Sequence, residues 1–189
     1  EYNRTIRDLV GLDLRPADQF PVDFSGTSGF SNSSNTLFLA TAHLDRYLTA
    51  AEEVIDVVRN VPQAWAALKG DGGSDESLRR FARLAFRRTP GSRELKELRS
   101  HLKLARDAGQ SEEDALATAL KLVLISPHFL LRVEKAGLPG VEERVAATDL
   151  ASRLSYFLWA SSPDEKLLGA AEGGFLEDKT GRENEIGRM

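Results

Sequence analysis

Ten basic residues crowd the stretch from 79 to 106: Arg79, Arg80, Arg83, Arg87, Arg88, Arg93, Lys96, Arg99, Lys103 and Arg106. Only Glu94 and Glu97 oppose them there, in a chain whose formal net charge is −4. Guanidinium forks match the oxygens of phosphates, sulfates and carboxylates, so such a surface has the chemistry to hold an anionic partner: nucleic acid, an acidic glycan or lipid headgroups. Arg79, Arg80, Arg83, Arg87 and Arg88 are its candidate anion-binding residues. The competing reading is structural. Arginine stems cover apolar helix flanks while their heads pair with carboxylates from elsewhere in the chain. No aromatic groups interleave with the arginines for base stacking, apart from Phe81 and Phe86 on the apolar face, so the paired reading is preferred.

A second candidate lies near the N-terminus. Asp18, Asp23, Asn32 and Asn35 lie with Ser25 and Ser28 on a Gly-bearing segment. Oxygen donors at irregular spacing suit calcium, which takes six to eight oxygens in flexible geometry. The spacing fits no EF-hand, and Asp, Ser and Asn also satisfy backbone groups in turns. The expectation is a self-capped structural loop, pinned to the helices by Phe20, Phe24 and Phe30. His43, His101 and His128 are the only histidines, and no two are four residues apart on a helix, so a metal site would need distant side chains to converge. His128 is expected at a helix start. Ser126, Ser155 and Ser161 sit in no GxSxG elbow. Gly70–Gly73 lacks the lysine and the strand of a phosphate loop. Tyr156, Phe157 and Trp159 read as core or interface. There is no cysteine, which removes disulfides, thiolate zinc sites, iron–sulfur clusters, a cysteine nucleophile and covalent c-type haem attachment. No catalytic motif emerges, and no cofactor is expected on these residues.

The elements that position these groups read as helices. Of the 189 residues, 41% are hydrophobic and 29% charged, ordinary values for a globular protein. No apolar run approaches the roughly 18 residues of a membrane span. Ile6, Leu9 and Val10 mark a short first helix, and a long Gly/Ser/Asn segment follows. Leu44, Leu48, Ala51, Val54, Ile55 and Val58 recur at three- and four-residue steps, which makes one apolar stripe. The string from Lys69 to Asp75 breaks the pattern. Leu78, Phe81, Ala82 and Ala85 line the next helix, Leu95, Leu98, Leu102 and Ala105 another, and Ala115 to Leu124 a third, opened by Ser111 with Asp114 in capping-box spacing. A second break at 136–141 precedes a helix from about Thr148 to Trp159. Ser162, Pro163 and Glu165 then predict a capped start. No strand alternation of useful length appears. The expected fold is mainly α, small antiparallel helical bundles in tandem, with units at 1–68, 74–135 and 144–189.

Three strings in this order resemble a known set. EYNRTIRDLVGLDLRPADQFP with LDRYLTAAEEV, then ESLRRFARLAFRRTPGSRELKEL through LVLISPHFLLRVE, then DLASRLSYFLWASSPDEKLL are similar to planctomycete-type domains of unknown function. Those domains occur in large exported proteins that often carry a c-type cytochrome module. Thr89 stands between Arg88 and Pro90 where the family usually has Arg-Arg-Pro. The resemblance implies a location in the periplasm or cell envelope, partners in other domains of the same parent chain, and haem elsewhere in that parent.

The chain begins at Glu1 and ends at Met189, both inside helical patterns, and is read as a piece of a longer polypeptide with its third unit cut short. An apolar face left uncovered there would favour self-association. The function expected is that of a noncatalytic helical scaffold or interaction region of a larger exported protein. The alternatives are part of a haem-dependent oxidoreductase or polysaccharide-active enzyme with its chemistry elsewhere, and anionic-polymer binding through Arg79–Arg106.

Overall fold

The computed structural model describes residues 1–20, 41–132, 134 and 144–189, and among them every regular element is helical. In chain order the helices are α1 (Tyr2–Val10), α2 (Thr41–Arg59), α3 (Pro62–Lys69), α4 (Gly73–Ala85), α5 (Ser92–Asp107), α6 (Glu112–Leu124), α7 (Pro127–Leu130), α8 (Ala147–Trp159), α9 (Glu165–Glu172) and α10 (Lys179–Arg188). Short 3-10 turns lie at Pro16–Gln19 and Phe175–Glu177.

Helix α6 is the hub. Ala115, Leu116, Ala117, Ala119, Leu120, Val123 and Leu124 are all buried, so it is apolar nearly all round and packs against α2, α4 and α5 at once. Three alanines on that surface, Ala115, Ala117 and Ala119, let neighbouring helices approach closely. Ser111 caps it by accepting from the Asp114 amide, while its hydroxyl donates to the Asp114 carboxylate. One buried cluster runs from Ile6 and Val10 of α1 through Val54, Ile55 and Val58 of α2 and Leu78, Phe81 and Phe86 of α4 to Leu98 and Leu102 of α5 and Phe129 of α7. Residues from both sides of the Lys69–Asp75 break therefore share one core. Ion pairs bind the same join: Arg59 to Asp114 and Lys69 to Glu113, each at 2.6 Å, and Lys121 to Asp56 at 2.7 Å.

The break itself is tight. Gly70 has φ +60°, and a Cβ there would come within about 3.0 Å of the Arg80 guanidinium, so both backbone and space demand glycine.

Helices α8 to α10 have a smaller cluster of their own, Ala151, Leu167, Ala171 and Leu176, with Leu150 and Met189 against it. Phe157 (85% exposed) and Phe175 (64%) project outward from this part. Helix α9 starts later than the sequence predicts. Asp164, not Ser162, is the cap, with its carboxylate accepting from the Leu167 amide at 2.8 Å, because a charged acceptor outcompetes a hydroxyl for the free amides of the first turn.

Candidate functional site

The five candidate arginines all sit on α4 or just beyond it, and each is already engaged. Arg79 pairs with Glu76 one turn back, its Nε donating at 2.8 Å. Arg80 donates to the carbonyls of Ala67 and Leu68 at 2.8 and 2.6 Å, which closes the C-terminus of α3. Arg83 grips the carboxylate of Glu172 on α9 at 2.7 Å. Arg88 holds Glu94 through two parallel bonds of 2.8 and 2.6 Å. Further along, Arg93, Arg99, Lys103 and Arg106 meet Glu97, Asp75, Asp107 and Glu112. Of the ten basic residues only Lys96 lacks a partner among the described residues. An external anion would have to displace these internal carboxylates.

Arg87 differs from the rest. It is 5% exposed and has no carboxylate partner; its guanidinium donates instead to the carbonyls of Phe129 (3.1 Å), His128 (2.7 Å) and Leu131 (2.8 Å). Its backbone is left-handed, φ 60°, at the position after a helix end where glycine usually stands. The next amide, of Arg88, reaches back to the Arg83 carbonyl, which completes the helix-terminating turn. Burial pushes the Arg87 guanidinium below its ordinary range. The residue staples the end of α4 to α7.

Around this staple lies a cleft of about 270 Å³ between α4, α7 and α8, with Arg87, Arg88, His128, Arg132, Asp149 and Arg153 among its lining groups. It is the place where ionisable groups from distant parts of the sequence meet. Glu94, beside it, is held well below the usual carboxylate range, at about 2, chiefly by the Arg88 hydrogen bonds and also by the Gly91 amide. His128 Nε2 lies 2.9 Å from the same carboxylate, and its ring packs against Phe86. His128 stands at the start of α7, where the sequence places it, with its ring half exposed. Glu134 pairs with Arg153. Asp149 is the exception: no cation lies in salt-bridge range among the described residues, and burial followed by repulsion from Glu134 raises its carboxyl. The cleft thus holds a buried guanidinium and a carboxyl outside any direct ion pair among the described residues, beside the Arg88–Glu94 and Arg153–Glu134 pairs.

The oxygen-rich segment is only partly in view. Asp18 accepts from Asn3 at 2.8 Å and pairs with Arg15 at 3.0 Å, and Phe20 packs edge-on against Tyr2 and Tyr47. Asp23, Asn32 and Asn35 lie outside the described residues, as do Phe24 and Phe30. Among the described residues no three His, Asp or Glu side chains gather in a manner that would hold a metal ion. His101 is exposed on α5. Covalent c-type haem needs cysteine thiols, and the chain has none, so its residues do not fit that group.

Sequence reasoning named Arg87 and Arg88 but missed their shared setting. Nothing in the spacing marks Asp149 or Arg132 as their neighbours, since Arg132 follows α7 and Asp149 lies on α8, both more than forty residues away. The one available signal was Arg87 at a helix end without a following glycine.

Among the described residues these features define an all-α architecture of helical units in series. Residues 1–60 match PSD3, a protein of unknown function (DUF1587); residues 74–134 match PSD5, likewise of unknown function (DUF1595); residues 145–189 match PSD4 (DUF1592). The chain therefore carries, in tandem, three domains of the planctomycete-type set typical of exported proteins often linked to c-type cytochrome modules. No curated protein and no solved structure matches it.

Proposed function

We propose that this chain is a noncatalytic helical scaffold within a larger exported protein, located in the periplasm or cell envelope, with other domains of the same parent as its partners. The observation that supports this most directly is the internal neutralisation of its basic helices. A surface made to grip a polyanion keeps its guanidinium groups free, whereas here nine of ten cations are tied to carboxylates or helix-end carbonyls. The three units at 1–68, 74–135 and 144–189 are proposed as units of sequence that pack more closely than their boundaries imply. Haem, where the parent carries it, would be bound by another part of the parent.

Titration with duplex DNA and with heparin at low ionic strength tests the choice between scaffold and polyanion binder. The scaffold reading expects no association whose strength falls with added salt. Binding that weakens along a straight line in log K against log salt would install the basic face as a polyanion site instead.

A further inference from the structure

The junction between α1–α7 and α8–α10 is built unlike either side of it. Neither buried cluster crosses it. Helix α9 divides its faces there. Leu167 and Ala171, four residues apart, belong to the cluster of α8–α10. Glu165, Leu168 and Glu172, at steps of three and four, share another face. Glu165 lines a cleft of about 210 Å³ with Leu9, Leu68, Phe81 and Leu84 of the larger body. Leu168 is fully buried yet belongs to neither cluster. Glu172 accepts from Arg83 Nε and Nη2 at 3.2 and 2.7 Å and from the Thr89 hydroxyl at 2.7 Å. That face of α9 is therefore seated on α4.

The remaining contacts across the junction are polar, and the Glu134–Arg153 ion pair is one of them. Arg4 donates to the Trp159 carbonyl at 3.2 Å, and the Tyr156 hydroxyl lies between Thr5 (3.2 Å) and Ser162 (3.3 Å). The Arg132 guanidinium stacks over the Tyr156 ring, 4.3 Å from its centre. Two clefts open along the junction, one of about 270 Å³ against α8 and one of about 210 Å³ against α9. One leucine, two ion pairs (Arg83–Glu172 and Arg153–Glu134) and a few hydrogen bonds make a weak contact between separate bodies, and relative motion is the ordinary outcome for such an interface. Covalent connection raises the local concentration enough to keep it closed most of the time.

We propose that α9 is a docking helix: its Glu165–Leu168–Glu172 face seats residues 144–189 reversibly on α4, with Arg83–Glu172 as the latch. The device goes beyond the scaffold role, because it lets the outer body separate without unfolding the inner one. Opening would uncover Arg83, Leu168 and Tyr156 together.

The absence of cysteine makes the test direct. Two labels, at Arg93→Cys on α5 and Lys179→Cys on α10, report the separation by single-molecule energy transfer on the full chain; both side chains are more than four-fifths exposed. At low salt one compact population is expected. Glu172→Gln at low salt, and the unmodified pair in about 1 M NaCl, where the screening length falls to roughly 3 Å, should each add a second, longer-distance population. Reversing the pair, Arg83→Glu with Glu172→Arg, should return most molecules to the compact state. A distribution unmoved by both Glu172→Gln and salt would overturn the proposal, as would failure of the reversed pair to recover it. Should Glu172→Gln lose helicity by circular dichroism, Thr89→Val decides: it removes one latch bond and leaves the carboxylate, so an unchanged distribution counts against the latch.

Discussion

At the scale of single residues, Arg87 and Glu94 show how one cluster of charge serves as internal structure. Arg87 strains its backbone into the left-handed region so that its guanidinium can reach three carbonyls of the α7 turn. Arg87→Ala would keep the strain and strand those carbonyls; Arg87→Gly would strand them without the strain. Both should lose several kcal/mol in urea unfolding, with the glycine variant about 1 kcal/mol the more stable. An alanine variant as stable as the glycine one would show that the positive φ is cheap there. Glu94 offers a pH test with a definite sign. Its folded pKa is depressed to about 2, chiefly by Arg88, so its contribution is fully present above the ordinary carboxylate range and is lost as pH falls through the folded value. Glu94→Gln should therefore be less stable than the parent at pH 7. The gap should narrow steadily between about pH 4.5 and 2, and a gap independent of pH would remove Glu94 from the account. The sequence shows a dense basic run here but not its pairing. Which carboxylate meets Arg88 depends on the turn at Thr89–Gly91, and which meets Arg83 depends on a helix nearly ninety residues on.

At the scale of elements, the helices and breaks were legible because apolar residues recur at three- and four-residue steps and because Ser111, Pro127 and the Gly70–Gly73 string punctuate them. The stripe of α2 and the nearly all-round apolar surface of α6 follow directly from those steps. The start of α9 was read two residues early, since Ser162-Pro163 is a good start signal in sequence, yet Asp164 holds the Leu167 amide. What periodicity could not show is that α6 is the element to which α2, α4 and α5 all answer. Its centre should be the costliest place to lose volume. Leu120→Ala is expected to destabilise by about 2–5 kcal/mol, against no more than about 0.5 kcal/mol for Leu104→Ala on the exposed side of α5. Thermal and urea unfolding of the two variants checks it, and comparable losses at both positions would contradict the central role of α6.

At the scale of the whole molecule, three sequence segments fold into two packing units of very unequal size. The larger cluster draws on seven helices, whereas the smaller has only four buried residues at its centre. A cluster that small removes little apolar surface from water and cannot by itself offset the entropy of ordering three helices. Helices α8 to α10 must then borrow stability from the seat of α9 on α4, and they should open at a lower free energy than the α6 hub. Native-state hydrogen exchange on the full chain measures this directly. Amides of α6 and of the buried face of α2 are expected to exchange only through global unfolding. Those of α8, α9 and α10 should exchange together through a smaller opening, and should do so faster still in Glu172→Gln while the α6 amides hardly change. Equal protection across both sets would mean that the two clusters unfold as one, and that the seat of α9 is as strong as the core it rests on.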